Sequence, residues 1–174
     1  MSRQSLVTYR IRALCVAVLA AAGAGRLAAQ LDGLNAIGQV VPLPGQINEL
    51  FVDEPRGLIY AANFTGGRVE VVSATTLQRL SSFATSPVPA GTSGMAVSPD
   101  GRWMVVTNQP VTSSVTQLST VAIINLNDPS DRRHIPFDEE PVAVAFGLDN
   151  RALVVTTGGF YTLDPRDGGA RKIF

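Results

Sequence analysis

The stretch that decides the fold is Met95-Ala-Val-Ser-Pro-Asp-Gly-Arg-Trp-Met-Val-Val-Thr-Asn108. It reads as a short apolar strand, a polar turn at Pro99–Arg102, and a second strand rich in β-branched residues. Proline presets φ at the start of such a turn and glycine tolerates a positive φ, which is what a tight hairpin needs. The stretch therefore predicts an antiparallel hairpin.

The same pattern occurs three times. Residues 51–63 precede residues 96–108 by 45 positions, and residues 145–157 follow them by 49. Each copy is followed by a second predicted hairpin. These hairpins pair Arg68–Ser73 with Leu77–Phe83, Thr120–Leu126 with Arg133–Phe137, and Phe160–Leu163 with Ala170–Phe174.

Four short strands in about 45 residues match the length and content of one β-propeller blade. The sequence therefore predicts an all-β fold of about three four-stranded antiparallel blades, near residues 46–86, 93–138 and 141–174. Continuous apolar runs such as Met104–Val106 fit strands that are covered on both faces. No segment after residue 30 shows a helical period.

Three segments resemble the YVTN-type repeats of bacterial seven-bladed β-propellers and the broader group of lactonase-like propellers: Leu58–Asn63, Met95–Gly101 and Trp103–Asn108. The resemblance covers residues 34–174. Residues 34–43 precede the first repeat as Leu77–Pro89 precede the second, so they are predicted to form a lone outer strand. The resemblance implies that such a strand closes the ring. The third repeat departs from the pattern, since Gly147–Asn150 replaces Ser-Pro-Asp-Gly and Thr157 takes the place of the asparagine.

Propeller rings close with about four to eight blades, because each sheet needs a neighbour on both faces. Three blades therefore predict an incomplete ring, either the amino-terminal part of a longer propeller or a truncated gene product. The alternative is a self-contained small β-domain of about 145 residues, which is long enough to bury a core.

Residues 1–29 have the order of a secretory signal peptide. A basic start precedes the uncharged apolar run Ala13–Ala24, and Leu27-Ala-Ala29 offers a cleavage site after Ala29. The apolar run is about a dozen residues, shorter than the ~20 that span a bilayer as a helix. We expect a periplasmic or extracellular protein with no membrane span after cleavage; a retained anchor is the alternative.

Cleavage would also leave the chain without a cysteine. The single cysteine, Cys15, follows Leu14, where a lipoprotein would need a small residue. Disulfide and thiolate chemistry are therefore not expected.

The charge balance disfavours nucleic acid as a partner. Formal net charge is zero, but four of the 14 basic side chains precede residue 30, leaving ten against 14 acidic ones. Such a chain is repelled by phosphate backbones, and 6% aromatic content offers few stacking platforms.

No catalytic, cofactor-binding or metal-binding residue is predicted. The single histidine, His134, is expected at a solvated hairpin position, and Asp138-Glu-Glu140 on a solvated loop. Asp164–Gly169 has turn chemistry. Asn63 and Asn108 are expected to cap strand ends, although an amide could also face a ligand, and the sequon Asn63-Phe-Thr65 is expected to be incidental.

Two functional hypotheses remain. Residues 109–119 are extended and hydroxyl-rich, and residues 86–93 form the other extended connector. Ligands of such scaffolds contact loops, so a partner is expected at these two segments. The first hypothesis is a secreted, non-enzymatic scaffold that binds a protein, glycan or small-molecule ligand without a cofactor. The second is part of a lactonase-like hydrolase that needs Ca²⁺ or another divalent metal and site residues from further blades. Flexible insertion without function would explain the connectors equally well.

Overall fold

The structure, a computed structural model, describes residues 38–87, 90–110 and 119–174. The chain divides into a unit of residues 1–40, of which 38–40 are described and exposed, and a unit of residues 41–174. The second unit contains all the described strands. The predicted signal peptide at residues 1–29 lies outside the described residues.

Twelve strands form three antiparallel sheets in the described part of the chain. In every sheet the strands follow one another in sequence order, so each sheet is a meander. Sheet A contains β1 (Ile47–Asp53), β2 (Leu58–Asn63), β3 (Arg68–Ser73) and β4 (Arg79–Ala84); sheet B contains β5 (Ala90–Val97), β6 (Trp103–Pro110), β7 (Ser119–Asn125) and β8 (Arg132–Phe137); sheet C contains β9 (Pro141–Phe146), β10 (Ala152–Thr156), β11 (Gly159–Leu163) and β12 (Ala170–Lys172).

This arrangement confirms the predicted all-β fold of three four-stranded antiparallel sheets. The expected outer strand at residues 34–43 is not seen where it can be assessed: residues 34–37 lie outside the described residues, and residues 38–43 form no strand. None of the described segments contains a helix with the length and hydropathy of a membrane span.

Two apolar cores join the sheets in sequence order. Sheets A and B share a core around Tyr60, Val71, Met104 and Ile124. Sheets B and C share a second core around Trp103, Ile123, Val154 and Leu163. Sheet B is therefore covered on both faces, which explains why β6 and β7 read as continuous apolar runs.

Each sheet has two faces that alternate along its strands. The leading face of a sheet is the one that faces the preceding sheet in sequence, and the trailing face is the one that faces the following sheet. Sheet B packs Met104 and Val106 from its leading face against sheet A, and Trp103 and Val105 from its trailing face against sheet C.

The third repeat is one residue out of the predicted alignment. Ser98 N donates to Trp103 O across the β5–β6 turn, whereas Gly147 N donates to Arg151 O across the β9–β10 turn, which is one residue shorter. Thr156 therefore occupies the position equivalent to Asn108, and the expected equivalence of Thr157 is wrong. A one-residue slip exchanges the faces of a strand, so Val154 is buried while Leu153 is exposed.

Candidate functional site

A cleft lies between the carboxyl ends of β1 and β5, the first strands of sheets A and B. Its volume is about 640 Å³. The lining comes from the two strand ends and the turns that follow them: Phe51, Val52, Asp53, Pro55, Arg56, Val97 and Ser98–Gly101. The repeated hairpin that decides the fold thus also forms both walls of the cleft.

Polar groups at the cleft are held by hydrogen bonds. Arg56 Nη1 donates to Asp53 Oδ2 at 2.8 Å, and Arg56 Nη2 donates to Asn127 Oδ1 at 2.6 Å on the β7–β8 turn. Asp53 is buried at 4% exposure, so the arginine supplies the charge partner that a buried carboxylate needs. Burial raises the pKa of Tyr60, with Asp53 adding to the rise.

The second wall is an Asx-type turn. Asp100 Oδ1 accepts hydrogen bonds from Ser98 Oγ and, at 3.0 Å, from Arg102 N. The Ser98 hydrogen bond, with the Arg102 amide, lowers the pKa of Asp100. Asp100 N also donates to Asn150 Oδ1 at 3.1 Å, which ties the turn of sheet B to that of sheet C.

The opposite ends of the sheets are tied by Asn63 and Asn108. Asn63 Nδ2 donates to Pro44 O, and Asn108 Nδ2 donates to Thr85 O at 2.8 Å. Both asparagines are fully buried and fix the segment that enters their own sheet. They act as caps, and the sequon asparagine is enclosed rather than presented on a surface turn.

Glu70 is a buried carboxylate that the sequence pattern did not single out. Arg79 Nε donates to its Oε2 at 2.6 Å, Asn63 Nδ2 donates to its Oε1 at 3.0 Å, and Arg68 Nε also donates to Oε1. Burial by itself would raise the pKa of Glu70, but these hydrogen bonds outweigh it and lower the pKa. The signal in the sequence for this buried ion pair was the presence of Arg68 two positions before Glu70 and Arg79 nine positions after it.

His134 lies within β8 of the β7–β8 hairpin, and it is half-buried where a solvated position was expected. It is opposite Ala122 of β7, on the face that contacts sheet A. Burial lowers the pKa of His134, and Arg132 adds to the decrease. Among the described residues, no acidic side chain pairs with the His134 imidazole.

The two acidic segments have structural partners. Glu139 accepts hydrogen bonds from Thr156 Oγ1 and Lys172 Nζ, and Glu140 O accepts one from Thr157 N. In the β11–β12 turn, the Arg166 guanidinium donates to Asp164 and holds the pKa of that carboxyl at about 2. Over the described residues, no three histidine, cysteine or acidic side chains converge as a metal site.

The two extended connectors are only partly described. Residues 88–89 and 111–118 lie outside the described residues, so the loop hypothesis is not tested there. Ser93 is described and donates from Oγ to Pro141 O at 3.0 Å, which joins β5 to β9.

Sequence comparisons give no family: no protein-family model matches the chain, and no curated protein does. Solved structures do match. Kuenenia stuttgartiensis hydrazine synthase has a TM-score of 0.59 at 20% identity, over 80% of this chain and 38% of that one. The β-propeller domain of Cps50 (Swd1) from Myceliophteria thermophila has a TM-score of 0.60 at 10% identity, over 78% and 40%.

A putative 6-phosphogluconolactonase from Bacteroides uniformis also matches, with a TM-score of 0.58 at 16% identity, over 81% of this chain and 42% of that one. The chain thus spans about two fifths of the length of these three neighbours. Identities this low show the fold alone. The three described sheets have the fold of β-propeller blades.

Proposed function

We propose that the protein is a secreted, non-enzymatic binding scaffold whose ligand contacts the cleft between β1 and β5. The cleft itself carries the proposal. Its volume of about 640 Å³ lies within the range of ligand pockets. The lining combines apolar surface with polar and charged groups. Phe51, Pro55, Val97 and Pro99 supply the apolar surface, and the polar groups are Asp53, Arg56, Ser98 and Asp100.

The charged groups of the cleft favour binding over catalysis. A general base or acid works best with a pKa near the operating pH, whereas the pKa of Asp100 is lowered. Asp53 is already paired with Arg56. These groups are suited to holding the two turns in place and to orienting a bound ligand.

The binding test uses the full chain against panels of peptides, glycans and small molecules. A ligand of the cleft should lose affinity on Pro55→Lys or Pro99→Lys, because both prolines are exposed at the lining. Leu148→Lys is the matched control, since Leu148 is 96% exposed in a turn outside the cleft. Ligands that bind both cleft variants and the control equally would contradict the cleft assignment.

Lactone hydrolysis is the competing activity, and similarity to the putative 6-phosphogluconolactonase is the observation that favours it. It predicts that the full-length gene product binds a divalent cation and opens a lactone ring. Turnover that rises with added cation would replace the scaffold proposal. No turnover, either with or without added cation, would support the scaffold proposal.

Secretion is tested at the amino terminus. We expect the exported protein to begin at Gln30, because the predicted cleavage follows Ala29. Intact mass and amino-terminal sequencing of the protein from the periplasm or medium would check this. A chain that retains residues 1–29 in the membrane fraction would support an anchor instead.

A further inference from the structure

We propose that the ligand of the cleft is an extended peptide, which pairs with the backbone of Val97 and places a basic side chain on Asp100. This inference rests on the proposed function, because it names the class of ligand for the same cleft. The cleft lies between two described sheets and not on the outer face of either.

Val97 lies on a strand edge. Among the described strands, only β6 pairs with β5. In an antiparallel pair, hydrogen-bonded and non-hydrogen-bonded residues alternate. Ser98 N donates to Trp103 O, so Val97, opposite Met104, occupies the next, non-hydrogen-bonded position. The N–H and the C=O of Val97 therefore both point away from β6.

Met95 shows what lies on that side of β5. It is two residues before Val97 in the same strand, so its N–H has the same orientation. This N–H donates to the Glu49 carboxylate, which belongs to β1. The unpaired edge of β5 therefore faces β1, and Glu49 shows that this edge accepts a hydrogen-bonding partner from outside its own sheet.

Val97 has no such partner among the described residues. It lines the cleft and is partly buried, and no described side chain or backbone group bonds to its outward N–H or C=O. Backbone groups are strong hydrogen-bonding groups that are rarely left unpaired. An extended peptide supplies one C=O and one N–H at the spacing of a strand ladder, which is how peptides add to sheet edges.

The charge of the lining favours a basic side chain on this peptide. Arg56 compensates Asp53 at 2.8 Å, which leaves Asp100 as the remaining charged group of the lining. Asp100 Oδ1 accepts hydrogen bonds from its own turn, whereas no described residue donates to Oδ2. Arg102, its neighbour in sequence, lies outside the lining, with its guanidinium over the Trp103 ring at 5.1 Å.

Two further observations define the partner. The turn's hydrogen bonds lower the pKa of Asp100, so its carboxylate is ionised at neutral pH and can accept from a lysine or arginine. Phe51, Pro55 and Pro99 supply apolar surface in the same lining. We therefore expect a peptide in which a basic residue is next to an apolar one.

The test selects ligands for the full chain from a random hexapeptide library and measures their affinity by fluorescence anisotropy. Val97→Pro removes the outward N–H, and proline is tolerated at an edge where the N–H lies outside the ladder. We expect this variant to lose roughly tenfold in affinity.

Val144→Pro is the matched control. Val144 lies on β9, three residues before the Gly147 N to Arg151 O bond, so its N–H also points away from the neighbouring strand. It is a partly buried valine like Val97, and it lies outside the cleft. The control variant should bind the selected peptides as the wild type does.

The peptide is tested in the same way. N-methylation of its backbone amides, one at a time, should abolish binding at the amide that pairs with Val97 O and leave binding intact at an adjacent amide. Asp100→Asn should weaken a lysine-containing peptide roughly tenfold. It should leave the same peptide unchanged when norleucine replaces the lysine.

The outcomes separate this inference from the proposed function. Peptides that tolerate N-methylation at every amide, or that bind Val97→Pro as well as the wild type, would overturn the backbone pairing. A glycan or small molecule that needs Pro55 and Pro99, with no peptide selected, would overturn the inference and leave the cleft function standing. No cleft-dependent ligand of any class would overturn both. Circular dichroism checks the folding of Val97→Pro; if it does not fold, the N-methyl series on the wild-type chain decides.

Discussion

Glu70 shows how a single residue can decide the character of a sheet face. A carboxylate in the middle of an apolar strand costs several kcal/mol unless it is paired. Here two arginines and an asparagine pair it, and one of these partners, Asn63, also caps the segment that enters sheet A. Charge compensation and strand capping are thus joined at one side chain.

Removing the Glu70 charge should change how stability depends on pH. In the folded chain its pKa is below the ordinary value of 4.5, so its stabilisation is present above that pH and is lost as pH falls through the lowered value. We expect Glu70→Gln to lower the free energy of unfolding by about 2 kcal/mol at neutral pH. The stability of this variant should fall less than that of the wild type as the pH is lowered.

Urea unfolding between pH 3 and pH 7 measures this difference. Glu54→Gln is the control, because Glu54 is exposed in the β1–β2 turn. An equal loss of stability with acid in the wild type and in Glu70→Gln would show that Glu70 is not the group responsible.

Asn108 provides a second test at the residue scale. Asn108→Ala leaves the carbonyl of Thr85 without its amide donor in a buried site, so we expect a loss of about 1–3 kcal/mol in the free energy of unfolding. Asn125→Ala, which removes an exposed turn contact to Asp131, should cost far less. Equal losses in the two variants would argue against a capping role.

At the scale of elements, the sequence predicts where the hairpins lie. It does not always predict which side chains of a strand face the core. Pro-Asp-Gly and its relatives predict where each turn lies. The run Leu153-Val-Val155 is apolar on both faces, so alternation cannot set its register. The shorter β9–β10 turn sets the register instead. The hydrogen bond from Gly147 N to Arg151 O shows the length of this turn, which the sequence pattern did not.

The register predicts opposite outcomes for adjacent residues. Val154→Lys should severely destabilise the fold, because Val154 is fully buried between sheets B and C and a lysine there has no partner. Leu153→Lys should fold, because Leu153 is part of the exposed face. Thermal unfolding compares the two, and a more damaging Leu153→Lys would restore the alignment expected from sequence.

The β3–β4 turn contains a strained residue. Leu77 has a φ of 56°, in the left-handed region that costs a branched residue roughly 1–2 kcal/mol. This turn is also why β4 begins at Arg79 and not at Leu77 as predicted. Leu77→Gly should raise the free energy of unfolding by up to about 1 kcal/mol, whereas Thr76→Gly next to it should lower it. A loss in both variants would contradict the strained turn.

At the scale of the whole molecule, the repeat length was enough to predict three four-stranded sheets. The bonds that join one sheet to the next were not predictable, because they connect residues far apart in sequence. Arg56 with Asn127, Asp100 with Asn150, and Asn48 with Thr92 are examples. The cleft depends on such bonds, so it too was missed, and the sequence directed attention to the long connectors instead.

Face-to-face stacking of the sheets is the central claim, and the single tryptophan reports on it directly. Trp103 is 6% exposed between sheets B and C, with the Arg102 and Arg133 guanidinium groups 5.1 and 5.7 Å from its ring centroid. Acrylamide quenching of its fluorescence is the measurement. We predict weak quenching in the native chain and strong quenching after unfolding in urea. The increase in quenching should occur in the same transition in which the sheets unfold. A native Trp103 quenched as readily as the unfolded chain would contradict the stacked sheets.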